Sequence, residues 1–212
     1  MKNALIYIHG FNSASQDERG NILISKSKLR ILTDFCAQND FRFLAPNLDY
    51  LSVDEVIVRL IKLENQLVSN GYEVNYIGTS LGGFFAEYMA MITCTKAIMI
   101  NPAINPSTTL KRYIGPCQNY ANNHEYIWTQ ENCDAFKPYE EDLLEFPREE
   151  VPRTILLDMG DELLDPLETI QKYEGKADLN IFDGGSHRFD HPEEALPIIK
   201  RAVWWMALPL TD

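Results

Sequence analysis

A serine between glycines stands at the centre of this chain, in Gly78-Thr79-Ser80-Leu81-Gly82-Gly83. The apolar run 74–77 ahead of it reads as a buried strand, and the run 81–91 behind it as a helix. A tight strand-to-helix turn with glycine on both sides lifts the Ser80 hydroxyl above the sheet. The same turn aims the Leu81 N–H at whatever that hydroxyl attacks. This is the arrangement of a nucleophile. The motif alone is weak evidence, since a random chain of this length shows G-x-S-x-G roughly one time in fifteen. It gains weight only from a base, an acid and a second oxyanion donor.

The chain offers all three. Asp161 follows the apolar run 154–157, and His187 follows 179–182. A serine hydroxyl is a poor nucleophile at its free pKa, so His187 is expected as general base. A carboxylate must then hold the imidazole in one tautomer and stabilise the imidazolium. Asp161 is the first choice, because Glu162-Leu163-Leu164 follow it in the manner of a catalytic acid loop. Asp165 is the runner-up, but it precedes Pro166 and reads as a helix cap. The run 4–8 ends in His9-Gly10-Phe11. The Phe11 N–H is therefore the expected partner of the Leu81 N–H in an oxyanion hole, with His9 ordering the loop. The pair His187 and His191 has metal-like spacing, yet Asp190-His191-Pro192 reads as a helix start and no third ligand is suitably spaced. No metal is expected, and His124 is expected to be exposed.

These residues meet only if the strands that carry them share an edge. Six apolar runs, at 4–8, 41–45, 74–77, 97–100, 154–157 and 179–182, alternate with helical patterns at 22–38, 53–69, 81–91, 166–174 and from 191 onward. Ser52-Val53-Asp54-Glu55 is a capping box opening the second helix. Such alternation predicts a mostly parallel sheet with helices on both faces and all C-terminal strand ends on one edge. The order serine, acid, histidine is that of the α/β-hydrolase fold. One domain is expected over 1–212, with an insertion after the fourth strand. That insertion, 103–151, shows no clear strand and reads as partly helical. It is too long for a plain connection and too aromatic for disorder. It is expected to lie over the Ser80 edge as a partial cap, with Tyr113, Tyr120, Tyr126 and Trp128 as the wall of an acyl pocket.

Composition narrows the partners. The 212 residues carry a formal net charge of −12 and no basic cluster, which disfavours nucleic acid and anionic membranes. No stretch approaches the ~20 apolar residues of a membrane span, and the N-terminal apolar run is too short for a signal-peptide core. The four cysteines have neither CxxC nor metal spacing, so free thiols in a reducing cytoplasm are expected. A small-molecule ester is the expected partner, no cofactor is required, and the oligomeric state stays open.

Four blocks, Ile8-His9-Gly10-Phe11-Asn12-Ser13, Gly78 to Gly83, Gly160-Asp161-Glu162 and Gly184-Gly185-Ser186-His187-Arg188-Phe189, resemble those of the small bacterial YqiA-type esterases. The resemblance runs over nearly the whole chain. It implies a cytoplasmic serine esterase with Ser80, Asp161 and His187 as its triad. The chain departs from the family in its longer insertion and in Ser186, where an acidic residue often precedes the histidine. Both bear on specificity. A thioesterase or amidase would use the same triad, and a non-catalytic binding protein could keep the same fold.

Overall fold

The computed structural model describes residues 2–25, 27–120, 123–145 and 151–204. The chain opens with β1 (Lys2–Ile8), α1 (Ser27–Gln38), β2 (Arg42–Leu44), α2 (Val53–Ser69), β3 (Tyr72–Thr79), α3 (Leu81–Thr93) and β4 (Lys96–Ile100). The insertion follows. It holds α4 (Pro106–Thr109), a 3₁₀ turn (Leu110–Tyr113), β5 (Gly115–Gln118), β6 (Glu125–Trp128), α5 (Gln130–Asp134) and α6 (Lys137–Glu145). Alternation resumes with β7 (Arg153–Asp158), α7 (Pro166–Tyr173), β8 (Asp178–Phe182) and α8 (Pro192–Trp204).

Six strands form one sheet in the order β2-β1-β3-β4-β7-β8, with every pairing parallel. Side chains alternate between its two faces, as strand geometry requires. Ala4, Ile6 and Ile8 of β1 enter the core under α2 and α3, while Leu5 and Tyr7 enter the core under α1 and α8. Each buried Leu or Ile contributes about 1.5–3 kcal/mol, so this two-faced pattern fixes the register of the central strands. Helix α2 starts where Ser52 accepts the Glu55 N–H at 3.3 Å, and it buries one stripe through Val53, Val56, Leu60 and Leu67.

Two expectations about elements need correction. Helix α1 begins at Ser27, not at residue 22; Ile22 instead pairs with Gln16 in an isolated antiparallel bridge. The insertion does contain strands, because β5 and β6 pair as an antiparallel hairpin from Gly115 opposite Trp128 to Gln118 opposite Glu125. Residues 121, 122 and 146–150 of the insertion lie outside the described residues.

Candidate active site

Parallel strands bring the loops after β1, β3, β4, β7 and β8 to one edge. The turn after β3 is tight because its neighbours are glycines. A Cβ on Gly78 would come within 1.9 Å of Gly82 O, and one on Gly82 within 2.0 Å of Ile8 O. Between them Ser80 has φ 56 and ψ −122, a conformation that L-residues avoid. Its amide is held by Ile100 O at 2.9 Å, and its carbonyl accepts the N–H groups of Gly83 and Ala103. The backbone is thus pinned on both sides, and the strain is carried by the surrounding sheet.

His187 faces this serine from the loop after β8. Its Nε2 lies 3.0 Å from Ser80 Oγ. Its Nδ1 lies 2.8 Å from Asp161 Oδ2 and 3.0 Å from Oδ1. Asp161 is in turn oriented by the Leu163 and Leu164 N–H groups, each 2.9 Å from Oδ1. The acid loop and the histidine loop are zipped together by Gly160 N to Gly184 O at 2.6 Å and Met159 N to Phe182 O at 3.0 Å. Asp165 does not reach His187; its side chain accepts the Leu167 N–H at 2.8 Å and caps α7, with Pro166 in the first turn. Glu162 accepts the His187 N–H at 2.9 Å, and that bond holds its carboxyl below the usual range.

The loop after β1 packs directly on the serine. A Cβ on Gly10 would sit 3.3 Å from Ser80 Cβ. The Phe11 N–H and the Leu81 N–H, the latter the first amide of α3, have no acceptor among the described residues. His9 is buried and orders the loop: its Nε2 accepts the Leu48 N–H at 3.0 Å, its Nδ1 lies 2.9 Å from Gly10 O, and Tyr50 OH donates to its carbonyl.

The insertion grips this loop. The Phe11 ring packs against Trp128, Tyr113 and Tyr126, with centroids 4.7, 5.2 and 6.4 Å away. Tyr126 OH donates to Asn12 Oδ1, the Tyr120 N–H to Asn12 O, and Asn119 Nδ2 to Ser13 O. Burial pushes the Tyr126 phenol up. Trp128 is fully buried, its Nε1 3.1 Å from Cys133 Sγ, so it offers no surface to a substrate. Tyr120 is 78% exposed, whereas Tyr113 and Tyr126 are half-buried beside Phe11. The other half of the insertion packs on α3, with Phe136 between Phe84 and Phe85 and Tyr139 against Tyr88. A cleft of about 390 Å³ runs along the acid loop, lined by Met159, Leu163, Leu164, Pro166 and Leu167 beside Asp161.

Sequence reading missed two residues at this edge, Asn101 and Asp158, and saw His191 only as a helix start. The available signal was position: both follow or end an apolar run at the edge that carries Ser80. Asp158 is fully buried and bonds His191 Nδ1 at 2.8 Å. His191 also begins α8, its carbonyl accepting the Ala195 N–H. His124 is exposed. Among the described residues no cluster of His, Cys, Asp or Glu is arranged to hold a metal, and no helix is long and apolar enough to cross a membrane.

The model of the uncharacterised protein family UPF0227 matches residues 4–203. The chain belongs to that family, which is the YqiA family its motifs resemble. A UPF0227 protein of Vibrio parahaemolyticus is 25% identical over 199 residues, covering 92% of this chain and 97% of its own. Among solved structures, Est1E from Butyrivibrio proteoclasticus superposes with a TM-score of 0.70 at 13% identity, over 94% of this chain and 86% of that one. A Pyrococcus furiosus esterase does so with 0.61 at 16% identity, over 95% and 82%. The fold is that of the α/β-hydrolases.

Proposed function

We propose that this UPF0227 protein hydrolyses short-chain carboxylic esters through an acyl-enzyme on Ser80. The observation that carries this reading is the unbroken chain from Ser80 Oγ to His187 Nε2 at 3.0 Å and from His187 Nδ1 to Asp161 at 2.8 Å, assembled from three separate loops. Ser80 Oγ attacks the ester carbonyl while His187 Nε2 takes the hydroxyl proton. The carbonyl electron pair moves onto oxygen, which faces the Phe11 and Leu81 N–H groups. The intermediate collapses, the bond to the alcohol breaks, and His187 returns the proton to the departing oxygen. A water then gives its proton to His187 and its oxygen to the acyl carbon, and Ser80 leaves with the proton restored. Asp161 keeps the Nδ1 proton in place throughout, and the cycle needs no cofactor. One structural neighbour is described as an esterase, which agrees with this chemistry.

The acyl group is short in this reading. In this reading Tyr113 and Tyr126, packed beside Phe11, bound the acyl site together with the cleft of about 390 Å³ along the acid loop. Each further CH₂ adds ~0.8 kcal/mol only while there is room to bury it, so kcat/KM is expected to peak at short chains and fall beyond about six carbons. The test is fluorophosphonate labelling of Ser80, followed by a p-nitrophenyl ester series with an acyl-CoA alongside. Labelling that persists in Ser80→Ala would sink the reading. Faster turnover of the acyl-CoA than of any ester would move it to thioesters.

A further inference from the structure

A second carboxylate–histidine pair sits beneath the first. Asp158, the last residue of β7, is fully buried. Its Oδ2 accepts the N–H groups of Ser186 at 3.1 Å and Asp190 at 2.7 Å, and its Oδ1 accepts His191 Nδ1 at 2.8 Å. Its own N–H donates to Asn101 Oδ1 at 2.9 Å. Asn101 takes the left-handed conformation, φ 41, and donates from Nδ2 to Ser186 O at 3.0 Å and His187 O at 3.4 Å. These two side chains hold the amides and carbonyls on both sides of His187. The fit is close: a Cβ on Gly185 would lie 2.0 Å from Asp158 Oδ2. The His191 ring is stacked on Phe182 with centroids 5.2 Å apart, which fixes the direction of its donor.

Burying a carboxylate is costly unless it is fully hydrogen-bonded, and apolar packing could have anchored the loop more cheaply. What packing cannot do is set three N–H directions at once. We propose that Asp158, together with Asn101 and His191, is a positioning group that sets the place of His187 between Ser80 and Asp161. This rests on the serine-hydrolase reading above. A base displaced by ~1 Å can cost ~100-fold in rate, so the effect belongs in turnover, not in binding.

The test compares Asp158→Asn, His191→Asn and His191→Leu with p-nitrophenyl acetate as substrate. Asp158→Asn leaves one oxygen for three donors and is expected to lower kcat by ~10- to 100-fold with KM within about threefold. Fluorophosphonate labelling should slow in parallel, and the acidic limb of the kcat/KM profile should move as His187 loses its contact with Asp161. His191→Asn keeps a donor for Asp158 and should stay near wild-type turnover, whereas His191→Leu should follow Asp158→Asn. If Asp158→Asn does not fold, the two His191 variants decide alone, and equal kcat in both overturns the proposal. A lowered Tm with unchanged kcat and pH profile per folded molecule also overturns it. A wild type that neither labels nor hydrolyses any ester overturns the parent reading and this one with it.

Discussion

Ser80 is held where its own backbone prefers not to be. Sparsely populated φ and ψ values cost about 1–3 kcal/mol, and here the cost is met by the hydrogen bonds that pin the turn. Removing the hydroxyl and removing the strain are therefore separable. Ser80→Ala should lose activity by ~10³-fold or more while keeping the strain. Ser80→Gly should lose as much activity yet be about 1 kcal/mol more stable than Ser80→Ala in urea melts, since glycine adopts φ 56 freely. Equal stability of the two would show that the turn stores nothing. The two acids separate in the same way. Asp161→Asn keeps acceptors for Leu163 and Leu164 but loses the tautomer of His187, so activity should fall by ~10³- to 10⁴-fold with the fold intact. Asp165→Asn should cost at most about 1 kcal/mol of stability through the α7 cap and leave turnover alone.

Trp128 belongs to the hairpin, and its burial changes what it can do. It supports the Phe11 ring from behind, so Trp128→Ala should destabilise the protein by about 3–5 kcal/mol and leave the acyl-length optimum where it was. Tyr126→Phe removes the hydroxyl that donates to Asn12 Oδ1, and should lower kcat several-fold more than it raises KM, as the proposed oxyanion role of Phe11 requires. A shift in chain-length preference in the Trp128 variant would return that ring to the pocket wall. The start of α8 carries a pH dependence. His191 faces three acids, Asp158, Glu194 and Asp190, and the bond to Asp158 raises its pKa. The native state binds the proton more tightly, so this stability is complete below about pH 6.5, the free histidine value, and is lost as pH rises through the raised one. The Tm advantage of wild type over His191→Leu should shrink as pH rises above about 6.5. An advantage that grows as pH rises would contradict the assignment.

At the scale of the molecule, a buried ion pair ties α3 to the sheet. Arg153 Nε on β7 meets Glu87 Oε1 on α3 at 2.8 Å, their side chains 0% and 4% exposed, and Tyr173 OH of α7 donates to the other Glu87 oxygen at 2.5 Å. Glu87→Gln should cost about 3–5 kcal/mol by leaving the Arg153 charge buried, and joint apolar replacement of both residues should recover most of it in urea melts. Nothing in the sequence marked this pair, and the reason is general. Apolar runs of four to eight residues, a serine between glycines and a capping box are local patterns, so β1, β3, α2 and the turn at Ser80 were legible directly. Ser80, Asp161 and His187 could be grouped without coordinates, because a parallel sheet sends every strand end to one edge. The hairpin was hidden because β5 contains Gly115 and Pro116, residues that strands disfavour, and because it is stabilised by the loop after β1, far earlier in the chain. Asn101 and His187, and Asp158 and His191, meet because β4, β7 and β8 are neighbours in the sheet, and Glu87 and Arg153 because α3 packs across that sheet. The chain alone determined which local pieces form and which residues could react. Strand order decided which polar groups are buried together, since a buried charge takes its partner from whatever the tertiary fold places beside it.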